Sequence, residues 1–369
     1  MQFPEHTLES YEAALRMGAG IVECDVTFTQ DRALICRHAQ CDLHTTTDVV
    51  TRPELNAKCT TPFAPGSTTT PVCCASDFTL AEIQTLCAKM DSSAGGGSDA
   101  TTTAEEYAFG GTADWRTDLY QIESCPKVPT HKESIELIKK GAGYFTPELK
   151  SPQVEMPFEG DYTQEDYAQQ MIDEYIEAGV PPAQVWPQSF NPSDVFYWVD
   201  NTEYGAQAVA LDDNYDANST QTEAFLDMLV QGGASIVAPP MQMLVAPDAS
   251  SEMLMTASDY AIAAKERNLE IITWTLERSG PGLGGFYWST TENDVELGEG
   301  DRYALLYVLW KEVGILGIFS DWPATTTFFA NCMDISRRRA STAASAGVVS
   351  KCSFWALVLG SVISLVLSC

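Results

Sequence analysis

The sequence predicts an α/β protein built on a largely parallel sheet, open or closed. Three observations carry that expectation. From residue 131 onward, strand-like runs alternate with helix-like runs, and strands separated by helices need the crossover connections of parallel pairing. Apolar residues make up 45% of the 369-residue chain, enough to bury the core of one large domain or two. Several strand runs end in polar residues at their C-terminal ends, where α/β barrels place their active sites.

The elements follow in order. Residues 7–17 read as a helix: Thr7 can cap it, Glu9 lies in the first turn, and Leu8, Tyr11 and Leu15 share one face. Gly18 and Gly20 end it. Residues 21–28 and 33–38 read as strands. Residues 39–130 carry Thr runs, Pro62, Pro65 and a low-complexity stretch over 92–103, the composition of a long loop-rich insertion. Regular alternation then resumes. Helices are expected over 132–140, 163–178, 222–231, 258–267 and 303–313. Strands are expected over 143–149, 184–190, 206–211, 235–238, 270–276 and 316–320. No Gly-x-Gly-x-x-Gly opens a helix after a strand and no P-loop occurs, which argues against nucleotide-binding folds.

Charge and cysteine usage bound the setting. With 21 basic and 51 acidic residues the formal net charge is −30, which argues against nucleic acid as a partner. Of eleven cysteines, six (36, 41, 59, 73, 74 and 87) fall between Cys36 and Cys87 in a Thr/Pro-rich, loop-like region, a pattern of disulfides made in an oxidising compartment. Zinc is the poorer alternative, because no Cys-x2-Cys pair exists. Asn218-Ser219-Thr220 is a glycosylation sequon. Residues 340–347 are small and polar, and 352–369 are uncharged and mostly apolar. That is the pattern of a glycosylphosphatidylinositol attachment signal, with a plain tail anchor as the alternative. The chain thus divides into 1–335, with the insertion inside it, and a linker and anchor signal over 336–369. The expected location is the secretory pathway and then the cell surface or wall, held to the membrane through this C-terminal lipid anchor or tail. Met1-Gln2-Phe3-Pro4 shows no signal peptide, and nine cysteines outside the tail is an odd number.

Strand alternation then gathers a set of charged residues. In 21–26, Glu23 and Asp25 share one face while Val22, Cys24 and Val26 share the other. Thr146, Glu148 and Lys150 share a face opposite Phe145 and Leu149, and Leu34, Cys36 and His38 share one as well. Three strands can therefore aim Glu23, Asp25, His38, Glu148 and Lys150 at one volume. Clustered carboxylates are costly unless a positive charge joins them, and oxygen ligands suit Mg2+ or Ca2+ better than zinc. A hard cation beside a histidine and a lysine suits phosphoester chemistry. Exposed rim residues in pairwise salt bridges are the competing reading.

At these residues the chain resembles the glycerophosphodiester phosphodiesterase family. Pro4-Glu5-His6-Thr7-Leu8 is similar to its Pro-Glu-Asn-Thr-Leu, and Val22-Glu23-Cys24-Asp25-Val26 to its Glu-Leu-Asp-Val. His38 with Asp42-Leu43-His44-Thr45-Thr46 resembles its His-Asp and Leu-Asp-Arg-Thr-Thr, and Glu148-Leu149-Lys150 its Glu-x-Lys strand. Ser189-Phe190, Trp274-Thr275 and Ser320-Asp321-Trp322-Pro323 resemble its later signposts. The insertion and the tail are similar to those of secreted fungal members.

The resemblance implies a (β/α)8 TIM barrel that hydrolyses glycerophosphodiesters, in a metal-dependent reaction, to sn-glycerol 3-phosphate and an alcohol. It implies that Glu23, Asp25 and Glu148 hold the divalent cation and that His38 is a general acid or base. Lys150 would stabilise charge on the phosphate, while Trp274 and Gln188 line the substrate cleft. It also exposes departures. The family's His-Arg-Gly strand, with its second catalytic histidine, has no counterpart before Pro4, and Ala39 and His44 replace its usual Asp and Arg. The first barrel strand is thus expected to be missing. An N-terminal end absent from this sequence explains the missing strand, the missing signal and the odd cysteine count together. The rivals are an inactive barrel kept as a surface binding or wall protein, and a phospholipase D-type barrel acting on phospholipid headgroups. Among the other histidines, His131 reads as a solvated first-turn residue, His6 as a turn residue near the barrel mouth, and His44 as a weak phosphate contact. Residues 278–300 read as a lid, and Trp115 and Tyr120 as packing within the insertion.

Overall fold

A computed structural model describes residues 3–91, 103–110, 125–141, 143–215, 217–248, 250–251, 255–277 and 301–335. The segment expected as a lid, the C-terminal tail, Trp115 and Tyr120 lie outside them.

The chain enters through α1 (Leu8–Arg16), β1 (Val22–Phe28) and β2 (Leu34–Cys36). It then runs through four short helices of the insertion: α2 (Leu43–Thr46), α3 (Pro53–Asn56), α4 (Leu80–Ile83) and α5 (Ala104–Phe109). The alternation follows as α6 (His131–Ile138), β3 (Phe145–Leu149), α7 (Gln164–Glu177), β4 (Gln188–Ser189), α8 (Pro192–Asn201), β5 (Val209–Leu211), α9 (Ser219–Gln231) and β6 (Ile236–Ala238). A small hairpin, β7 (Val245–Pro247) and β8 (Met255–Ala257), interrupts it. The chain then closes with α10 (Asp259–Glu266), β9 (Glu270–Thr273), α11 (Asp301–Val308), β10 (Gly317–Ile318) and α12 (Pro323–Cys332).

The sheet has eight strands in the order β10-β9-β6-β5-β4-β3-β1-β2. Every neighbouring pair in it is parallel except β1–β2, which folds back antiparallel. It curls into a barrel of the (β/α)8 TIM class. One core, with Val26, Phe145, Ile172, Trp198 and Leu229, fills the layer between strands and helices. A second, with Val209, Leu211, Ile236, Ala238 and Ile272, fills the inside of the sheet. Cys24 belongs to the first core and Asp25 lines the interior cavity, as period-2 alternation predicts.

Local chemistry explains where the helices begin. Thr7, Thr130, Thr163, Asn218 and Ser258 each accept a hydrogen bond from a first-turn backbone N–H of the helix that follows. The sequence reading missed α8, α12 and the β7–β8 hairpin. Asn191 caps α8 and Pro192 opens it, so the start signal was present. The 184–190 strand contracts to two residues, Gln188–Ser189, and Pro187 just before them lacks the N–H that a ladder needs.

The insertion is not the plain loop that its composition suggested. Leu43, Val49, Phe78, Ile83, Leu86 and Tyr107 build a core of its own. Bridges Cys41–Cys74, Cys59–Cys73 and Cys87–Cys125 staple it, and Cys24–Cys36 ties β1 to β2. Cys332 is the odd thiol among the nine. Short helices with little apolar area each gain stability from such bridges, because these restrict the unfolded chain.

Among the described residues β10 pairs only with β9, and β1 pairs with β3 and β2. A cavity of about 1260 Å3 inside the curled sheet is lined, among others, by Ile21 and Val22 at the start of β1 and by Leu316 and Ile318 at β10.

Candidate active site

Register builds the site. In the β1–β3 ladder Asp25 stands opposite Glu148 and Glu23 opposite Thr146; in the β3–β4 ladder Glu148 stands opposite Gln188. Three neighbouring strands thus bring Glu23, Asp25, Glu148 and Gln188 to one cavity. One oxygen from each of the three carboxylates lies within 4.8 Å of the others. Asp25 and Glu148 are 2% and 6% exposed, so little water reaches their charges.

The polar neighbours are arranged around this trio. Lys150 Nζ sits 2.7 Å from Glu148 Oε1. Gln188 Nε2 donates to Glu23 Oε1 at 2.7 Å, and its own Oε1 is buried without a hydrogen-bond partner. His38 Nε2 lies 4.0 Å from Asp25 Oδ2, with a side chain 43% exposed at the cavity mouth. Trp274 Nε1 donates to the Ala238 carbonyl at 2.8 Å, and its ring stands edge-on to Phe190 on the cavity wall. All seven residues singled out from the sequence therefore border one volume.

The electrostatics are those of an overcrowded anion cluster. Burial, then Asp25 and Lys150's partner Glu148, push the Glu23 carboxyl well above the ordinary range. Burial also lifts Glu148 to about 7, against the pull of Lys150. Burial opposes ionisation of Asp25 too, yet Lys150, His6 and His38 together hold it below the usual carboxylate range. Burial works against the Lys150 charge, but Asp25, Glu148 and Glu23 outweigh it and hold its proton more tightly than usual. The cluster is therefore short of positive charge. Asp25 Oδ1, moreover, is buried and takes no hydrogen-bond donor. Three convergent carboxylate oxygens, two of them disposed to hold protons, fit a hard divalent cation.

One participant escaped the sequence reading. His6 is buried, with Nε2 3.0 Å from Asp25 Oδ2 and Nδ1 3.0 Å from the Tyr11 hydroxyl. Its ring stacks on that of His38, with centroids 6.4 Å apart and planes at 15°. Its backbone has φ 51°, a left-handed turn that fits the position where the resembling motif carries Asn. The sequence placed His6 in a turn at the mouth, but no periodicity reveals which way a turn side chain points.

Two other histidines lie elsewhere. His131 is not a solvated first-turn residue: it is fully buried, with Nδ1 2.8 Å from Glu174 Oε2 and its ring edge-on to Tyr175. Helix α7 covers it, which no local pattern foretells. His44 does not line the cavity; it stacks on Tyr107 in the insertion, where burial lowers it to about 4.

A curled parallel sheet with clustered carboxylates, a lysine and a histidine around its interior cavity defines a barrel hydrolase. The model of the glycerophosphoryl diester phosphodiesterase family matches residues 1–325. The chain belongs to that family and, as a member of it, is a phosphodiesterase. It is 41% identical to the "Extracellular protein" of Arthroderma benhamiae over 242 residues, 63% of this chain and 97% of that protein. It is 25% identical to an Arabidopsis thaliana glycerophosphodiester phosphodiesterase over 327 residues, 87% of this chain and 81% of that one. Among solved structures, a putative glycerophosphoryl diester phosphodiesterase from Silicibacter pomeroyi shares the fold, with TM-score 0.59, 16% identity and 91% of each chain covered. So does an Oleispira antarctica phosphodiesterase in complex with the product sn-glycerol-3-phosphate, with TM-score 0.51, 17% identity and 89% and 92% of the chains covered.

Proposed function

We propose that this chain hydrolyses glycerophosphodiesters with the help of a divalent cation, Mg2+ or Ca2+, releasing sn-glycerol 3-phosphate and an alcohol outside the cytosol. The carrying observation is the convergence of Glu23, Asp25 and Glu148 oxygens within 4.8 Å of one another, beside Lys150 and His38. Family membership supplies the substrate class.

Bound by the three carboxylates, the cation would polarise the phosphoryl oxygens. The remaining work falls to the protein. Lys150 stabilises the negative charge that gathers on the phosphate as a water oxygen adds to phosphorus. His38, at the mouth, takes a proton from that water or gives one to the departing alkoxide as the P–O bond to the alcohol breaks. Gln188 holds Glu23 in place through its amide. Trp274 offers a flat apolar wall to the substrate's carbon skeleton.

The test is hydrolysis of a glycerophosphodiester by the purified protein after chelation, with each cation restored in turn, alongside Glu148→Gln. Activity only with cation, and its loss in Glu148→Gln, is expected. Full activity in chelator would remove the cation from the reading.

Location rests on separate support. Four disulfides suit an oxidising compartment, and the Arthroderma benhamiae relative is named as extracellular. We read the C-terminal apolar run as a lipid-anchor signal, which release of the protein from membranes by a phosphatidylinositol-specific phospholipase would test. Among the described residues no helix is long and apolar enough to cross a membrane.

A further inference from the structure

We propose that Tyr11 and His6 form a hydrogen-bonded relay that orients Asp25 so that its Oδ1 is left for the cation. Both are positioning residues, and the inference rests on the cation reading above.

The argument runs along the chain of donors. Tyr11 projects from α1, is fully buried, and has its hydroxyl within 3.0 Å of His6 Nδ1. A phenol can donate or accept there, so the direction of this bond is set from the other side of the ring. Nε2 must carry a proton to meet a carboxylate oxygen, and with the ring proton there the Nδ1 lone pair accepts from the Tyr11 hydroxyl. That N–H faces Asp25 Oδ2 at 3.0 Å, and a carboxylate can only accept there. The outer oxygen of Asp25 is thereby occupied. The other, Oδ1, is buried and takes no donor, on the strand face that carries Glu23. A histidine holding one oxygen of a ligating carboxylate fixes the direction in which the other can bind.

The turn that carries His6 is held for this purpose from several sides. His6 adopts φ 51°, a left-handed conformation that a non-glycine residue keeps only when its surroundings hold it. The Arg37 guanidinium donates to the Glu5 carbonyl, and the Thr7 hydroxyl donates to the Pro4 carbonyl at 2.8 Å. Thr7 also caps α1, so the helix that presents Tyr11 starts from the turn that presents His6. A histidine kept merely to fill space would not need a strained backbone and a partner at each ring nitrogen.

The experiment is calorimetric titration of the metal-free protein with Mn2+, Mg2+ and Ca2+, with no substrate present. His6→Leu should weaken cation binding by roughly 10- to 100-fold, the range seen when outer hydrogen bonds to metal ligands are lost. Tyr11→Phe should weaken it less, and His6→Gln, which keeps an N–H donor, should recover part of the loss. Thr163→Ala uncaps α7 away from the site and controls for lost stability alone; its affinity should match wild type. Asp25→Asn separates the two readings. If Asp25→Asn leaves cation binding unchanged, or the wild-type protein binds none, the cation reading fails. If Asp25→Asn abolishes binding while His6→Leu and Tyr11→Phe leave it unchanged, the relay is overturned and the cation reading stands.

Discussion

Lys150, one residue past the end of β3, holds its Nζ 2.7 Å from Oε1 of Glu148 within that strand. The end of β3 and the residue that follows it therefore supply both a buried anion and the cation that offsets it. Lys150 is the principal positive charge shared by Glu23, Asp25 and Glu148. Removing one partner of a buried pair costs about 3–5 kcal/mol, because the other charge is left uncompensated. Lys150→Met should lower thermal stability in chelator by several degrees. It should regain part of that loss with millimolar divalent cation, since a ligand that binds only the folded state stabilises it. Its kcat should fall about 10²- to 10³-fold. Calorimetric melting and steady-state kinetics on the same preparation check both.

His38 is half-exposed at the mouth, so replacing it should touch chemistry more than folding. His38→Gln should lower kcat by about 10²- to 10⁴-fold with a melting temperature close to wild type. If the imidazole protonates the leaving alkoxide, a p-nitrophenyl phosphodiester, whose leaving group needs no proton, should lose far less activity than one with an alkyl alcohol. Equal losses on both substrates would assign His38 to the attacking water instead.

Glu277 accepts from the Ser320 hydroxyl and the Asp321 N–H, both at 2.9 Å, and burial lifts it from 4.5 to about 7. Between these values the folded protein holds a proton that the unfolded chain has released. Stability from this group is thus full below about 4.5 and is lost as pH rises through 7, by an amount on the order of 3 kcal/mol. Glu277→Gln should flatten that fall and melt higher than wild type at pH 8. Denaturant midpoints taken across the range should show the crossing.

His44 works in the opposite direction. Burial against Tyr107 lowers it from 6.5 to about 4, so the unfolded chain binds a proton there that the folded protein refuses. Its contribution is present above about 6.5 and is lost as pH falls toward 4. His44→Leu should remove this part of acid destabilisation, seen as a shallower decline in melting temperature between pH 6.5 and 4.

The bridges of the insertion close long loops: Cys41–Cys74 spans 33 residues and Cys87–Cys125 spans 38. Chain entropy assigns roughly 3–4 kcal/mol to each. Replacing Cys41 and Cys74 together by Ser should shift the denaturation midpoint accordingly. Because Leu43 and Phe78 belong to the insertion's own core, protease cleavage under reducing conditions should begin there and spare the parallel strands.

Much of this protein was legible in its residues because the signals are periodic. Alternation placed Cys24 in the core and Asp25 in the cavity, and placed Glu148 and Lys150 on one face, since strand geometry admits no other arrangement. The Thr7 cap announced α1, and Thr runs, Pro62, Pro65 and a low-complexity stretch marked the insertion. Those are local matters, decided within a few residues. The tertiary structure decided what depends on distance between segments. It set the register that puts Asp25 beside Glu148 and Glu148 beside Gln188, and it buried His131 under α7 and His44 under Tyr107. It also turned His6, in a left-handed turn, onto Asp25. A side chain's periodicity is written in its neighbours along the chain; its partner across the fold is chosen only when strands pair and helices close over them.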